Sequence, residues 1–204
     1  TYPKVSMVHL CLDFEGVLIP EIWQRLAKEV NSDDLMLTTQ DLKDYDELMS
    51  LRMKVVNENN IKISDIQKIV KDIEPFEGAQ EFLEWARSKF QVTIVSDTFY
   101  ELAWPLVEKL GYPSIICHNM SVEDDKITGY KLRQPNNKQR VIEALQSLKF
   151  KVFASGDSYN DINMLNTADL GIFFQAPDHI KKEYPHLLTA SSHDELKKIL
   201  EDNI

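Results

Sequence analysis

The sequence has little of what would make it anything other than a globular domain. Its 204 residues hold two cysteines, Cys11 and Cys117, both inside apolar strand-like runs and without metal-ligand spacing, so neither a disulfide framework nor a thiolate metal site is expected. No apolar run approaches the ~18 residues that a membrane span needs, and Thr1-Tyr2-Pro3-Lys4 lacks the apolar stretch of a signal peptide. A soluble, cytoplasmic protein is the expectation. Positive charge is scarce: Lys+Arg 23 against Asp+Glu 33 gives a formal net charge of −10, with only five arginines. Such a surface repels polyanions, which speaks against nucleic acid and anionic membranes as partners and leaves small molecules. An anionic substrate then needs a local cation or a metal. The five histidines share no ligand spacing. What remains is a chain that is 43% hydrophobic, long enough to bury about 70% of its unfolded surface in one core without staples.

Short β-branched or apolar runs alternate with helical stretches. Val5 to Leu12, Val92 to Val95, Ile115 to Cys117, Val152 to Ala154 and Leu170 to Phe174 read as strands, with helices over Gly78 to Phe90, Tyr100 to Leu110 and Lys138 to Leu148. Strands joined by helix-length crossovers imply a parallel sheet covered on both faces, an α/β Rossmann-like core. Between Pro20 and about Pro75 the alternation stops. Three helical segments stand there instead, Glu21 to Val30, Leu42 to Asn57, and Ser64 to Ile73 with Ser64 as its N-cap. This reads as a small helical cap, residues 20–75, inserted after the first strand into a core made of residues 1–19 and 76–204. Met120 to Leu132, centred on Asp124-Asp125-Lys126, reads as a β-hairpin.

The chemistry-bearing residues collect at strand ends, where open α/β sheets bind ligands. Asp13 and Glu15, followed by Gly16, close the first strand; Ser96 and Asp97 close the second; Gly156-Asp157-Ser158-Tyr159-Asn160-Asp161 closes the fourth. Each alone has a plain structural reading, Ser96 as a helix N-cap and Asp157 and Asp161 as turn and first-turn residues. Together, Asp13, Asp157 and Asp161 would converge three carboxylates, which repel one another unless a hard cation sits among them, and magnesium suits such oxygen ligands. Lys138, in the first turn of its helix, opposes the helix dipole, so a role as a point charge for phosphate explains its position better than helix energetics does.

Asp13-x-Glu15-Gly16-Val17, Ser96, Lys138 and Gly156-Asp157-x-x-Asn160-Asp161, in this order, resemble the four motifs of the haloacid dehalogenase superfamily of phosphotransferases. The fuller segments Leu12 to Trp23 and Ser96 to Glu101 are similar to its bacterial phosphoserine phosphatase branch that also transfers phosphate to homoserine. The resemblance implies Asp13 as nucleophile and Glu15 as general acid and base. It implies Mg2+ held by the Asp13 and Asp157 side chains and the Glu15 carbonyl, with Asp161 acting through water. Ser96 and Lys138 would hold phosphate oxygens, with the Asp97 amide helping, and Asn160 would bind substrate. From the cap, Glu21 and Arg52 would take the ammonium and carboxylate of a phosphorylated amino acid, with homoserine as a further acceptor. The superfamily's usual Asp two positions after the nucleophile is Glu15 here; the longer side chain displaces the proton-transfer group, which speaks against fast hydrolysis, and the expectation drawn from it is an alcohol acceptor in place of water. The pattern leaves open a homodimer, a phosphatase of another small phosphomonoester, and a catalytically silent sensor of a phosphorylated metabolite.

Overall fold

The computed structural model describes residues 7–204, so the expected strand start at Val5 and what was read from Thr1 to Lys4 lie outside the described residues. Seven strands form one sheet: β1 (Val8–Leu12), β2 (Gln91–Phe99), β3 (Ile115–Glu123), β4 (Lys126–Lys131), β5 (Lys151–Gly156), β6 (Leu170–Phe174) and β7 (Leu188–Ala190). Their order is β4-β3-β2-β1-β5-β6-β7, parallel throughout except for the antiparallel β3/β4 edge. All five residues of β1 are buried, as a central strand covered on both faces requires. The chain leaves β1 towards β2 and later returns to β1's other side as β5, so the carboxyl ends of β1 and β5 flank a topological switch point.

Nine helices surround the sheet among the described residues. They are α1 (Ile22–Val30), α2 (Tyr45–Glu58), α3 (Ile63–Lys71), α4 (Ala79–Lys89), α5 (Tyr100–Lys109), α6 (Asn137–Ser147), α7 (Ile162–Thr167), α8 (Asp178–Glu183) and α9 (His193–Glu201). None is long and apolar enough to cross a membrane. On α1, Ile22, Trp23, Leu26 and Ala27 form the buried face. Helix α2 starts three residues later than expected because Asp44 is its cap, its Oδ1 accepting from the N–H groups of Asp46 (2.9 Å) and Glu47 (3.2 Å).

Two local expectations are corrected. Ser64 is not a cap: α3 is preceded by Lys62, and Ser64 lies inside the first turn, giving its N–H and its hydroxyl to the carboxylate of Asp125 (3.0 and 2.5 Å). Ser96 is not a cap either, since β2 runs on to Phe99 and α5 starts only at Tyr100. The expected hairpin is present. Strand β3 is continuous, pairing with β2 through its first half and with β4 through its second, and turns at Asp124 (φ 47) and Asp125 (φ 65), the left-handed pair that a tight hairpin needs. Asp125 thereby ties the hairpin tip to the start of α3, an anion at a helix N-terminus. Beyond Phe174, α8, β7 and α9 are elements for which no expectation was drawn.

Candidate active site

The site lies where β1, β2 and β5 end. Asp13, 4% exposed, follows β1; its Oδ1 accepts from the Phe14 N–H (2.7 Å) and from Lys138 Nζ (3.0 Å). Lys138, reaching in from the first turn of α6, also donates to Asp161 Oδ1 (2.6 Å). Asp161 Oδ2 accepts from the backbone N–H groups of Asp157 (2.9 Å) and Ser158 (3.1 Å), so the plain turn-forming reading of Asp161 holds alongside its place in the cluster. Two glycines make this packing possible. A Cβ on Gly16, whose φ is +87°, would lie 2.1 Å from Asp157 Oδ2, and one on Gly156 would lie 2.3 Å from Asp161 Cγ.

Asp13, Asp157 and Asp161 are all buried and offer carboxylate oxygens within 4.8 Å of one another. Three carboxylates against one buried ammonium leave two negative charges uncompensated. Burial, then the charge of Asp161, pushes the Asp13 carboxyl well above its ordinary range, and the same two causes push Asp157 up to about 7. Burial acts to discharge Lys138, but Asp13, Asp161 and Asp97 outweigh it and hold the ammonium firmly protonated. An all-oxygen, doubly negative cluster is the donor set that a hard divalent cation fits.

Around Asp13 lies a cavity of about 20 Å³, lined also by Glu15, Glu21, Arg52, Ser96, Asp97 and Asn160. With Lys138, Asp157 and Asp161 in contact with Asp13 or with each other, every site residue expected from the sequence meets here. Glu15 Oε2 accepts from the Ile22 N–H at the start of α1 (2.9 Å). Glu21 is half-buried beside it; burial, then the charges of Glu15 and Asp157, pushes its carboxyl well above the usual range. Arg52 lies inside the protein rather than on its surface. It is 5% exposed, stacks over Trp23 at 5.1 Å, and its Nε has no hydrogen-bond partner. Burial lowers the pKa of its guanidinium. Ser96 sits where the β2/β3 register shifts, an irregularity of the kind that re-aims side chains beside active sites.

Three residues that sequence reasoning missed, Gln40, Thr39 and His118, complete the site together with Tyr45. Tyr45 on α2 donates its hydroxyl to the Asp97 carbonyl. Gln40 reaches Asp157 Oδ2 (2.7 Å), and Thr39 shares a hydrogen bond with Ser158 (2.8 Å). His118 on β3 is buried against Asp97 Oδ1 (2.8 Å); its Nδ1 accepts the Arg133 N–H (2.9 Å), so the proton on Nε2 points at the carboxylate. Asn160 donates to the other oxygen of Asp97 (2.7 Å). Burial raises the pKa of Asp97, but the His118 hydrogen bond and the charge of Lys138 outweigh it, and the carboxyl lies below its ordinary range. A cavity of about 580 Å³ beside α4 and α9 holds none of these residues.

A family model of haloacid dehalogenase-like hydrolases matches residues 37–166. The chain belongs to that family. It is 44% identical to phosphoserine phosphatase ThrH of Pseudomonas aeruginosa over 189 residues, 92% of each chain. It is 45% identical to a phosphoserine phosphatase of Pseudomonas syringae pv. tomato, over 92% of this chain and 80% of that one. The solved structure of a phospho-aspartyl intermediate analogue of phosphoserine phosphatase superposes with a TM-score of 0.79 over 97% of this chain and 99% of that one, at 23% identity, and shows the same fold.

Proposed function

We propose that this haloacid dehalogenase-like hydrolase is a magnesium-dependent phosphoserine phosphatase that also passes the phosphoryl group to homoserine. The observation that carries the substrate is Arg52: a buried guanidinium with an unpartnered Nε, lining the same cavity as Asp13, suits a carboxylate that arrives with the substrate. The two Pseudomonas relatives named for phosphoserine support it. Glu21 faces the ammonium, whose approach favours the ionised form of its carboxyl.

Asp13 Oδ1 is held by Phe14 and Lys138, which leaves Oδ2 to attack phosphorus. The new bond is Oδ2–P, and the bond that breaks joins phosphorus to the seryl oxygen, which takes a proton from Glu15. Glu15 then removes the proton of water, or of the homoserine hydroxyl, as that oxygen attacks the aspartyl-phosphate and Asp13 leaves. Ser96, Lys138, Asn160 and the Asp97 amide hold the phosphoryl oxygens. Asp13, Asp157 and the Glu15 carbonyl would hold magnesium, with Asp161 behind a water, and the ion supplies charge neutralisation for the phosphoryl group. The cap is residues 20–75 and the core residues 1–19 and 76–204; the Phe76 N–H donating to the Leu18 carbonyl (3.0 Å), where the two connections run side by side, supports that division. The test is phosphate release from phosphoserine and a panel of phosphomonoesters, with magnesium or chelator, with and without homoserine. Magnesium-dependent preference for phosphoserine, with phosphohomoserine formed at the expense of free phosphate, is the expected result; release indifferent to the amino and carboxylate groups would overturn the substrate.

A further inference from the structure

Ser96 and Asp97 stand on a stretch of β2 that its neighbouring strands do not hold. The pairing of β2 with β1 ends at Ile94. Its pairing with β3 breaks off at Val95, opposite Ile116, and resumes only at Phe99, opposite His118, so Ser96, Asp97 and Thr98 face Cys117 alone. Backbone that leaves a ladder in this way keeps its place through side chains instead.

Asp97 is where those side chains meet. Its carbonyl accepts from Tyr45 on α2, its Oδ2 from Asn160 (2.7 Å), and its Oδ1 from His118 Nε2 (2.8 Å). Of the three donors, His118 is the one that stands on the adjacent strand, at the residue where the ladder resumes. His118 is itself fixed. It is buried against the rings of Phe99 and Tyr45, and its Nδ1 accepts the Arg133 N–H (2.9 Å), while Arg133 Nε donates to the Cys117 carbonyl (3.0 Å). A ring that accepts at Nδ1 carries its proton at Nε2, so donation to Asp97 is built into the packing.

We propose that His118 is a positioning residue of the phosphoryl site: by holding Asp97 Oδ1 it replaces the missing ladder bonds, and so fixes the Asp97 N–H and, through Oδ2, the Asn160 side chain where the phosphoryl group arrives. The proposal rests on the phosphatase reading above. His118 does not line the cavity around Asp13, so it acts through Asp97. A residue that shapes the phosphoryl pocket affects every phosphomonoester alike, whereas Arg52 separates phosphoserine from the rest.

Two amide substitutions distinguish this role from support of the fold. In His118→Gln the side-chain nitrogen falls near the imidazole Nε2 and keeps the donor for Asp97. In His118→Asn the amide reaches only as far as Nδ1, which keeps the partner of Arg133 and loses Asp97. The measurements are magnesium-dependent turnover of phosphoserine and of an aryl phosphate, and inhibition of each by inorganic phosphate. His118→Asn should lower kcat/KM about tenfold on both substrates and weaken phosphate inhibition about tenfold, the worth of one hydrogen bond to a charged group. His118→Gln should recover most of both losses. Asp97→Ala, which removes the same bond from its other side, should show the same pattern, and adding His118→Asn to it should cost nothing further. Equal impairment in the Gln and Asn variants, phosphate inhibition unchanged in His118→Asn, additive losses in the double variant, or a loss confined to phosphoserine overturns the role. Failure of the catalytic reading would show separately, as no magnesium-dependent phosphate release by the unmutated protein.

Discussion

Gln40 donates from Nε2 to Asp157 Oδ2 at 2.7 Å, joining the loop before α2 to the acidic cluster across 117 positions of sequence. The bond orients one carboxylate of the cation site and favours its ionised form. Groups that orient a metal ligand in this way are worth 10–100-fold in metal affinity. Gln40→Ala should therefore raise the magnesium concentration for half-maximal activity by about tenfold or more, with turnover at saturating magnesium changed far less. Magnesium titrations of activity and direct calorimetry of metal binding check this; an unchanged requirement would show that the contact is incidental.

Asp13→Asn keeps the volume of the side chain and removes the attacking oxygen anion. Turnover should fall on the order of 10³-fold or more, as for other groups that form the covalent bond, while the melting temperature stays or rises because one of three crowded carboxylates is gone. Acid quench of the unmutated protein during turnover should trap an acyl phosphate, and peptide mapping should place it on Asp13.

Arg52→Ala should cost about 10²-fold or more in kcat/KM for phosphoserine, because a site built to pair a carboxylate leaves it unpaired. An aryl phosphate presents no carboxylate and should lose little. Arg52→Lys should recover only part of the phosphoserine activity, since an ammonium lacks the planar fork. Equal losses on both substrates would assign Arg52 to the fold, through its stacking on Trp23.

Asp125 gives a pH-dependent contribution whose sign follows from its lowered pKa. The hydroxyl and then the N–H of Ser64 hold its carboxylate below the ordinary value. The stabilisation is thus fully present above the unfolded value of about 3.9 and is lost as pH falls through the lower folded value. Asp125→Ala should lower the melting temperature at neutral pH, and the gap to the unmutated protein should close below about pH 4. A gap of equal size at pH 3 and pH 7 would refute the linkage.

Asp13, Ser96, Lys138, Asp157 and Asp161 were legible in the sequence through their combination at successive strand ends and one helix start, since each except Lys138 reads alone as a cap or turn residue. The crossover helices were legible from their apolar spacing. Gln40 and His118 were not, because nothing local distinguishes them; their meaning comes from which strand end the fold brings them to. Ser64 was misread because an N-cap serine and a first-turn serine differ by two positions, and its partner, Asp125, lies 61 residues away. Strand β7 escaped notice because it is three residues long with two of them exposed, too short to show a period.

The catalytic cavity, at about 20 Å³, has room for roughly one water molecule and none for an amino acid phosphate. Tyr45, whose hydroxyl donates to the Asp97 carbonyl, lines that cavity, so admitting a phosphorylated amino acid requires the lining to move apart. Turnover then includes an opening step as well as bond making at phosphorus. Where the opening step is slower, thickening the solvent with sucrose slows turnover for every substrate alike, however good its leaving group.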